Sequence, residues 1–381
     1  MSEPKKTIFW VAGENSGDLH SSMVLKALKE QGVDYRHIGI GGHRMQAEGF
    51  TPLFPFRKFS LMGFWEVLKS LPFIWRVEKE TKKYFQNIKP DLVVLVDYPG
   101  LNLRLAKMAY ELDIPVLYFI CPQFWAWRHG RVKKLYEYTN FVASILPFEK
   151  ELLDLHRVTS EYVGHPIAEE IKVEVDREQF ARTFGLNPEK QWLGFMPGSR
   201  DTEIKKILPV FMEAIRKFSD EDYEFLLSKS HTVSNELFMS FIPVEMVKNI
   251  FIIDGYMYEM MKYSHFMAVT SGTATLETAF IGTPFIIVYK TSKISYTIAK
   301  ELVRIKRIGL PNIILEDDVI PELIQDDVNG DKIYSNIKDY LSNQSEYNKI
   351  KTELAKIKDL LSEKSASKEV ASIIERMVEK E

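Results

Sequence analysis

Short apolar runs rich in Val, Ile and Phe alternate with amphipathic stretches along almost the whole chain. A strand that is apolar on both faces needs cover on both, which a parallel sheet receives from the helices that connect its strands. The alternation therefore predicts βαβ units and an α/β fold. Predicted strands in the first half are 7–12, 36–40, 92–97, 115–120, 141–146 and 161–164. Those in the second half are 192–196, 223–227, 250–253, 266–269 and 285–288. A chain of 381 residues exceeds one ordinary core, so each set is expected to form its own doubly wound sheet. The charged stretch 167–190, with Gly185 and Pro188, reads as helix and linker, placing a boundary near residue 170. The expected organisation is residues 1–170, residues 171–344, and amphipathic helices over 345–381 that pack back on the first domain or on a second copy in a homodimer.

Two stretches of the second half share one design. At 193–204 (LGFMPGSRDTEI) and 266–277 (FMAVTSGTATLE) a buried strand enters a tight turn that opens a helix. Such turns aim backbone N–H groups and the positive end of a helix dipole at one point, a way to hold phosphate without a metal. Gly198, Ser199 and Arg200 form the first turn, and Ser271, Gly272 and Thr273 the second. A nucleoside diphosphate suits the pair. Glu277, one helical turn after Thr273, either accepts hydrogen bonds from ribose hydroxyls or complements the dipole.

Composition narrows the alternatives. A net charge of -3 without a long basic block gives no reason to expect nucleic acid. The single cysteine, Cys121, allows no internal disulfide and points to a reducing compartment. The start of the chain has only a strand-length apolar run and is not expected to be a signal peptide. The eight histidines show no paired ligand spacing, so neither a metal nor another cofactor is expected. The triplet Asp220-Glu221-Asp222 matches the DxD pattern of metal-dependent sugar transferases, but it precedes a strand, which assigns it to a solvated loop.

Open α/β sheets bind ligands beyond the carboxyl ends of their strands, and two such domains facing each other create a cleft. Asp97 ends the run 92–97 there, either as a general base for a hydroxyl or as a cap. Glu14, Ser16 and Asp18 occupy the first strand-to-helix turn. Capping suits Asp18, whereas Glu14 is a candidate for acceptor binding or proton transfer. The segment 59–77 carries Phe64, Trp65, Leu68, Leu71, Ile74 and Trp75 among few charges. This excess of large apolar groups suits an acyl pocket or a membrane interface, or else a helix buried on two sides. Pro72 and the short length exclude a span.

The strings AGENSGDLH (12–20), RMQAEGF (44–50), WAWRHGRVKKL (125–135), LPFEK (146–150), VGHPIAEEI (163–171), PGSRDTEI (197–204), SGTATLE (271–277) and LPN (310–312) resemble, in order, those of the lipid-A-disaccharide synthases. The resemblance implies an inverting glycosyltransferase of GT-B fold, cytoplasmic and peripheral on the inner membrane. It implies the joining of UDP-2,3-diacylglucosamine to 2,3-diacylglucosamine 1-phosphate through a β-1′,6 linkage, with release of UDP. By the same resemblance Asp97 is the acceptor's base and Arg200 neutralises the leaving diphosphate. Ser271, Gly272, Thr273 and Glu277 match the nucleotide-binding turn and helix, Asn312 a polar residue of the LPN loop, and Ser16 and Asp18 the acceptor side. Segment 59–77 is similar to a membrane-associating surface. Cys121 stands where Ser is usual, which argues against a cysteine nucleophile, and Gly100 replaces a frequent second acidic residue. Two rival readings are a UDP-GlcNAc 2-epimerase and a sugar-nucleotide or lipid-binding protein without catalysis.

Overall fold

The computed structural model describes residues 5–60, 71–126, 129–218, 223–292, 296 and 306–379. The chain forms two compact units, Met1–Glu169 with Ser362–Glu381, and Glu170–Leu361. All strand pairing recorded in both is parallel.

The first unit is built on β1 (Thr7–Ala12), β2 (Arg36–Ile40), β3 (Thr51–Pro52), β4 (Leu92–Val96), β5 (Val116–Phe119), β6 (Phe141–Ser144) and β7 (Ser160–Tyr162). Their order across the sheet is β3-β2-β1-β4-β5-β6-β7. β1 and β4 are buried along their whole length, as strands covered on both faces must be. The winding reverses between β1 and β4, so the loops that follow these two strands diverge and leave a crevice. Asp97 and Glu14 stand on those loops.

The second unit contains β8 (Gln191–Met196), β9 (Tyr223–Ser228), β10 (Ile250–Ile253), β11 (Phe266–Thr270), β12 (Phe285–Tyr289) and β13 (Glu322–Ile324), ordered β10-β9-β8-β11-β12-β13. Its reversal lies between β8 and β11, the strands that lead into the two Gly/Ser turns. Both turns therefore sit at the topological switch point.

The tail forms helices Gln344–Ser362 and Ala366–Glu379. The second buries Val370, Ile373 and Ile374 in the core of the first unit beside Trp10 and Val24. Its first turn is held by Glu169, which accepts from the Ser367 amide at 2.9 Å. The apolar stripe of this helix is thus covered within the chain.

Segment 59–77 is described in part. Phe64, Trp65 and Leu68 lie outside the described residues, as does the DxD triplet, while Leu71 opens helix Leu71–Ile88. Ile74 is a correction: with Val77 it is buried in the core of the first unit. Trp75 is 61% exposed and shares the outer face with Arg76, Lys79, Lys82 and Lys83. Among the described residues no helix is long and apolar enough to cross a membrane.

Candidate active site

Asp97 follows β4 in a strained turn. Its own φ is +46° and that of Tyr98 is +45°, consecutive left-handed conformations that cost non-glycine residues about 1 kcal/mol or more each. Three hydrogen bonds hold the bend. The Asp97 amide donates to the Phe119 carbonyl at 2.9 Å, extending the sheet. Its carbonyl accepts from Asn102 Nδ2 and from Tyr118 Oη, both at 2.7 Å. Gly13 leaves room for this bend, since a Cβ there would meet the Tyr98 ring at 3.1 Å. Main-chain polar groups are therefore spent on the scaffold, leaving the carboxylate to act. Burial, and then the nearby Glu14 carboxylate, push the Asp97 carboxyl up to about 6 against the Tyr98 amide and the Arg131 guanidinium. A carboxylate of that basicity suits proton abstraction near neutral pH.

Glu14 and Ser16 are exposed beside this turn. Asp18 is a correction. It is 1% exposed, and its carboxylate accepts from the amides of Gly42 (2.7 Å), Arg44 (3.1 Å) and Met45 (3.2 Å). It caps helix His43–Ala47 rather than its own helix, and its lone pairs are committed to that task. Cys121 is likewise inert. It is buried, and desolvation followed by the Glu149 carboxylate pushes its thiol up.

The second unit has a cavity of about 440 Å³ over its switch point. Gly198, Ser199 and Arg200 line one side, and Ser271, Gly272 and Thr273 the other. The two turns differ in how their amides are used. In the first, Glu203 Oε2 accepts from the amides of Ser199 (2.9 Å) and Arg200 (3.2 Å), while Arg200 Nη1 donates to Oε1 at 3.1 Å. Gly198 makes this possible: its φ is +106°, and a Cβ there would meet Glu203 Oε2 at 2.3 Å. The carboxylate thus engages two of the amides that the sequence offered to a phosphate. In the second turn Ser271 donates to the Val288 carbonyl at 2.9 Å, but no acceptor within the described residues engages the amides of Gly272, Thr273 and Ala274. These open the nine-residue helix Thr273–Ile281. Donors at a helix start with no partner among the described residues suit an anion.

Two predicted residues stand apart. Glu277 does not line the cavity; burial and then Glu170 push its carboxyl up to about 7. Asn312 is 1% exposed and saturated by its surroundings. Its Nδ2 donates to the Ile320 carbonyl (2.7 Å) and Glu322 Oε1 (2.9 Å), and its Oδ1 accepts from the Ile320 amide (2.9 Å). It ties helix Leu310–Leu315 to Ile320 and Glu322 instead of offering a free contact, so the residues expected as a loop open a helix.

Sequence reasoning passed over Glu203 and Lys229. Lys229 follows β9, lines the same cavity with its side chain only 10% exposed, and has Asp254 Oδ2 at 3.9 Å. The loop it stands on is tied to the first turn, because Thr232 Oγ1 donates to the Ser199 carbonyl at 2.6 Å. A lysine two residues beyond the expected strand 223–227 was the available signal.

The chain matches the family model described as Lipid-A-disaccharide synthetase over residues 8–376. It is 36% identical to the lipid-A-disaccharide synthase of Sulfurihydrogenibium sp. (strain YO3AOP1), covering 98% of this chain and 99% of that protein. It is 33% identical to that of Geobacter metallireducens, over 99% and 98%. Among solved structures it resembles the calicheamicin glycosyltransferase CalG4 (TM-score 0.65, 12% identity, 99% of each chain). It also resembles the UDP-GlcNAc 2-epimerase from Neisseria meningitidis bound to UDP-GlcNAc (TM-score 0.63, 13% identity, 97% of this chain and 99% of that one). At such identities these structures speak for the GT-B fold alone.

Proposed function

The chain belongs to the lipid-A-disaccharide synthase family, and on that premise we propose how its two switch points divide the reaction. It is a hexosyltransferase that forms the lipid A disaccharide. The donor in this reading is UDP-2,3-diacylglucosamine and the acceptor 2,3-diacylglucosamine 1-phosphate. Asp97 takes the proton of the acceptor 6-hydroxyl as that oxygen bonds to the donor's anomeric carbon from the face opposite UDP. The bond from that carbon to the diphosphate breaks, its electron pair leaves on the phosphate oxygen, and the new linkage is β-1′,6. Arg200 and the amides of Gly272, Thr273 and Ala274, unengaged among the described residues, absorb the charge growing on UDP. Glu14 and Ser16 stand on the acceptor side.

The family match over residues 8–376 carries the reaction, and the raised Asp97 carboxyl supports the choice of base. Work on an acylated substrate asks for contact with a lipid surface. Exposed Trp75 with Arg76, Lys79, Lys82 and Lys83 on one helix face supports peripheral binding to the cytoplasmic face of the inner membrane. Incubation of the purified protein with both acylated glucosamines tests the reading: a disaccharide 1-phosphate and UDP are expected in equal amounts, whereas UDP without disaccharide, or an epimerised sugar nucleotide, would overturn it.

A further inference from the structure

The first unit contains a cavity of about 530 Å³ that the Asp97 and UDP assignments leave unused. Its walls come from the starts of two helices, Pro99–Tyr110 and Gly130–Tyr138. Pro99 and Leu103 give it an apolar side, and Arg104, Arg131 and Lys134 bring three cations to it. Arg131 and Lys134 are three residues apart and so share one face of their helix. Arg104 is braced from behind, its Nε lying 2.8 Å from Glu78 Oε1 and 3.1 Å from the Gly100 carbonyl. Arg131 is also close enough to Asp97 to oppose the rise of that carboxyl. One guanidinium therefore links the cavity electrostatically to the candidate base.

We propose that this cavity receives the phosphate monoester of the acceptor, so that Arg104, Arg131 and Lys134 choose a sugar 1-phosphate and place its far hydroxyl at Asp97. The inference rests on the acceptor assigned above. A phosphate monoester near neutral pH carries between one and two negative charges and several acceptor oxygens, which two arginine forks and an ammonium match better than a single cation does. Cations anchored on two separate helices fix the position of the group, where a run on one flexible loop would only attract it. The apolar side formed by Pro99 and Leu103 suits the carbon face of a pyranose ring. Because Pro99 and Gly100, two and three residues beyond Asp97, line the cavity, one hexose can present its phosphate to the cavity and its 6-hydroxyl to Asp97.

The test compares two acceptors, 2,3-diacylglucosamine with and without its 1-phosphate, in wild type, Lys134→Ala and Arg104→Ala. Expected is a wild-type kcat/KM preference for the phosphorylated acceptor that falls at least tenfold in each variant. The loss should reside in acceptor KM, with donor KM unchanged and Lys134→Arg recovering most of the preference. A preference that persists in both variants overturns the proposal. A second arm follows the ³¹P line width of glucosamine 1-phosphate without donor: the wild type should broaden it and the double variant should not. If no disaccharide forms yet this broadening depends on Arg104 and Lys134, the reaction assignment falls and the phosphate pocket stands. If turnover continues while both arms ignore the substitutions, the pocket alone falls. Loss of binding to phosphatidylglycerol vesicles with the acceptor preference intact would reassign these cations to membrane headgroups and also overturn it.

Discussion

The two sheets reverse their winding in the same way, yet their switch points carry opposite chemistry. In the first, the strand ends present carboxylates: Asp97 after β4 and Glu14 after β1, with the local amides and carbonyls spent on holding a strained bend. In the second, they present donors: Arg200 and Lys229, with amides at Gly272, Thr273 and Ala274 that are unengaged among the described residues. One topology thus yields a proton acceptor in one unit and an anion receptor in the other. The difference comes from what occupies the first positions beyond each strand. Within the second unit the contrast recurs on a smaller scale, since one turn is filled by Glu203 and its neighbour is open.

The largest expected effect separates the two switch points. Asp97→Asn should lower kcat by about a thousandfold, the scale of a lost general base, while UDP affinity measured by calorimetry stays within about twofold. A parallel fall in UDP affinity would erase the division of labour. Arg200→Ala should do the converse, reducing kcat/KM by about a hundredfold and weakening UDP, with Arg200→Lys only partly restored because the planar fork is missing.

Acidity sharpens the same contrast. With its carboxyl raised to about 6, Asp97 is a base only above that value, so kcat/KM should fall about tenfold per pH unit below it. The sign for stability is opposite. A carboxyl raised in the fold contributes stability that is present below its unfolded value and lost as pH rises through about 6. Asp97→Asn should therefore be more stable than wild type at pH 8, by about 3 kcal/mol, and the gain should vanish towards pH 4 in thermal melts. The smallest effect concerns Glu203. As a brace for the first turn, its replacement by Gln should weaken UDP about fivefold and lower stability by about 1 kcal/mol. Tighter UDP binding in Glu203→Gln would show that the carboxylate competes with phosphate instead.

Legibility in the sequence followed the strength of the local signal. β1, β2 and β10 match their expected bounds to the residue, and β1 is the clearest case, an almost wholly apolar run buried along its whole length. β3, two exposed residues, and β13, which includes Glu322, carry no such run and escaped notice. The two Gly/Ser turns were readable because glycine and serine after an apolar run have few other uses. What those turns do with their amides was not readable, since Glu203 satisfies the first pair from a neighbouring helix position that sequence alone assigns to ordinary capping. Asp18 and Asn312 misled for a related reason. Their partners lie 24 to 27 and 8 to 10 residues away, and only the fold brings those amides and carbonyls to them. Tyr98 and Asp97 in left-handed conformations left no sequence mark at all.

The central claim is that the donor's diphosphate is received by the second switch point, chiefly by the open turn. Residue-resolved amide hydrogen exchange with and without UDP tests this directly. Slowed exchange at Gly272, Thr273 and Ala274 is predicted, with little change at Ser199 and Arg200, whose amides Glu203 already holds. Protection confined to Ser199 and Arg200, or to the loops after β1 and β4 in the first unit, would contradict it.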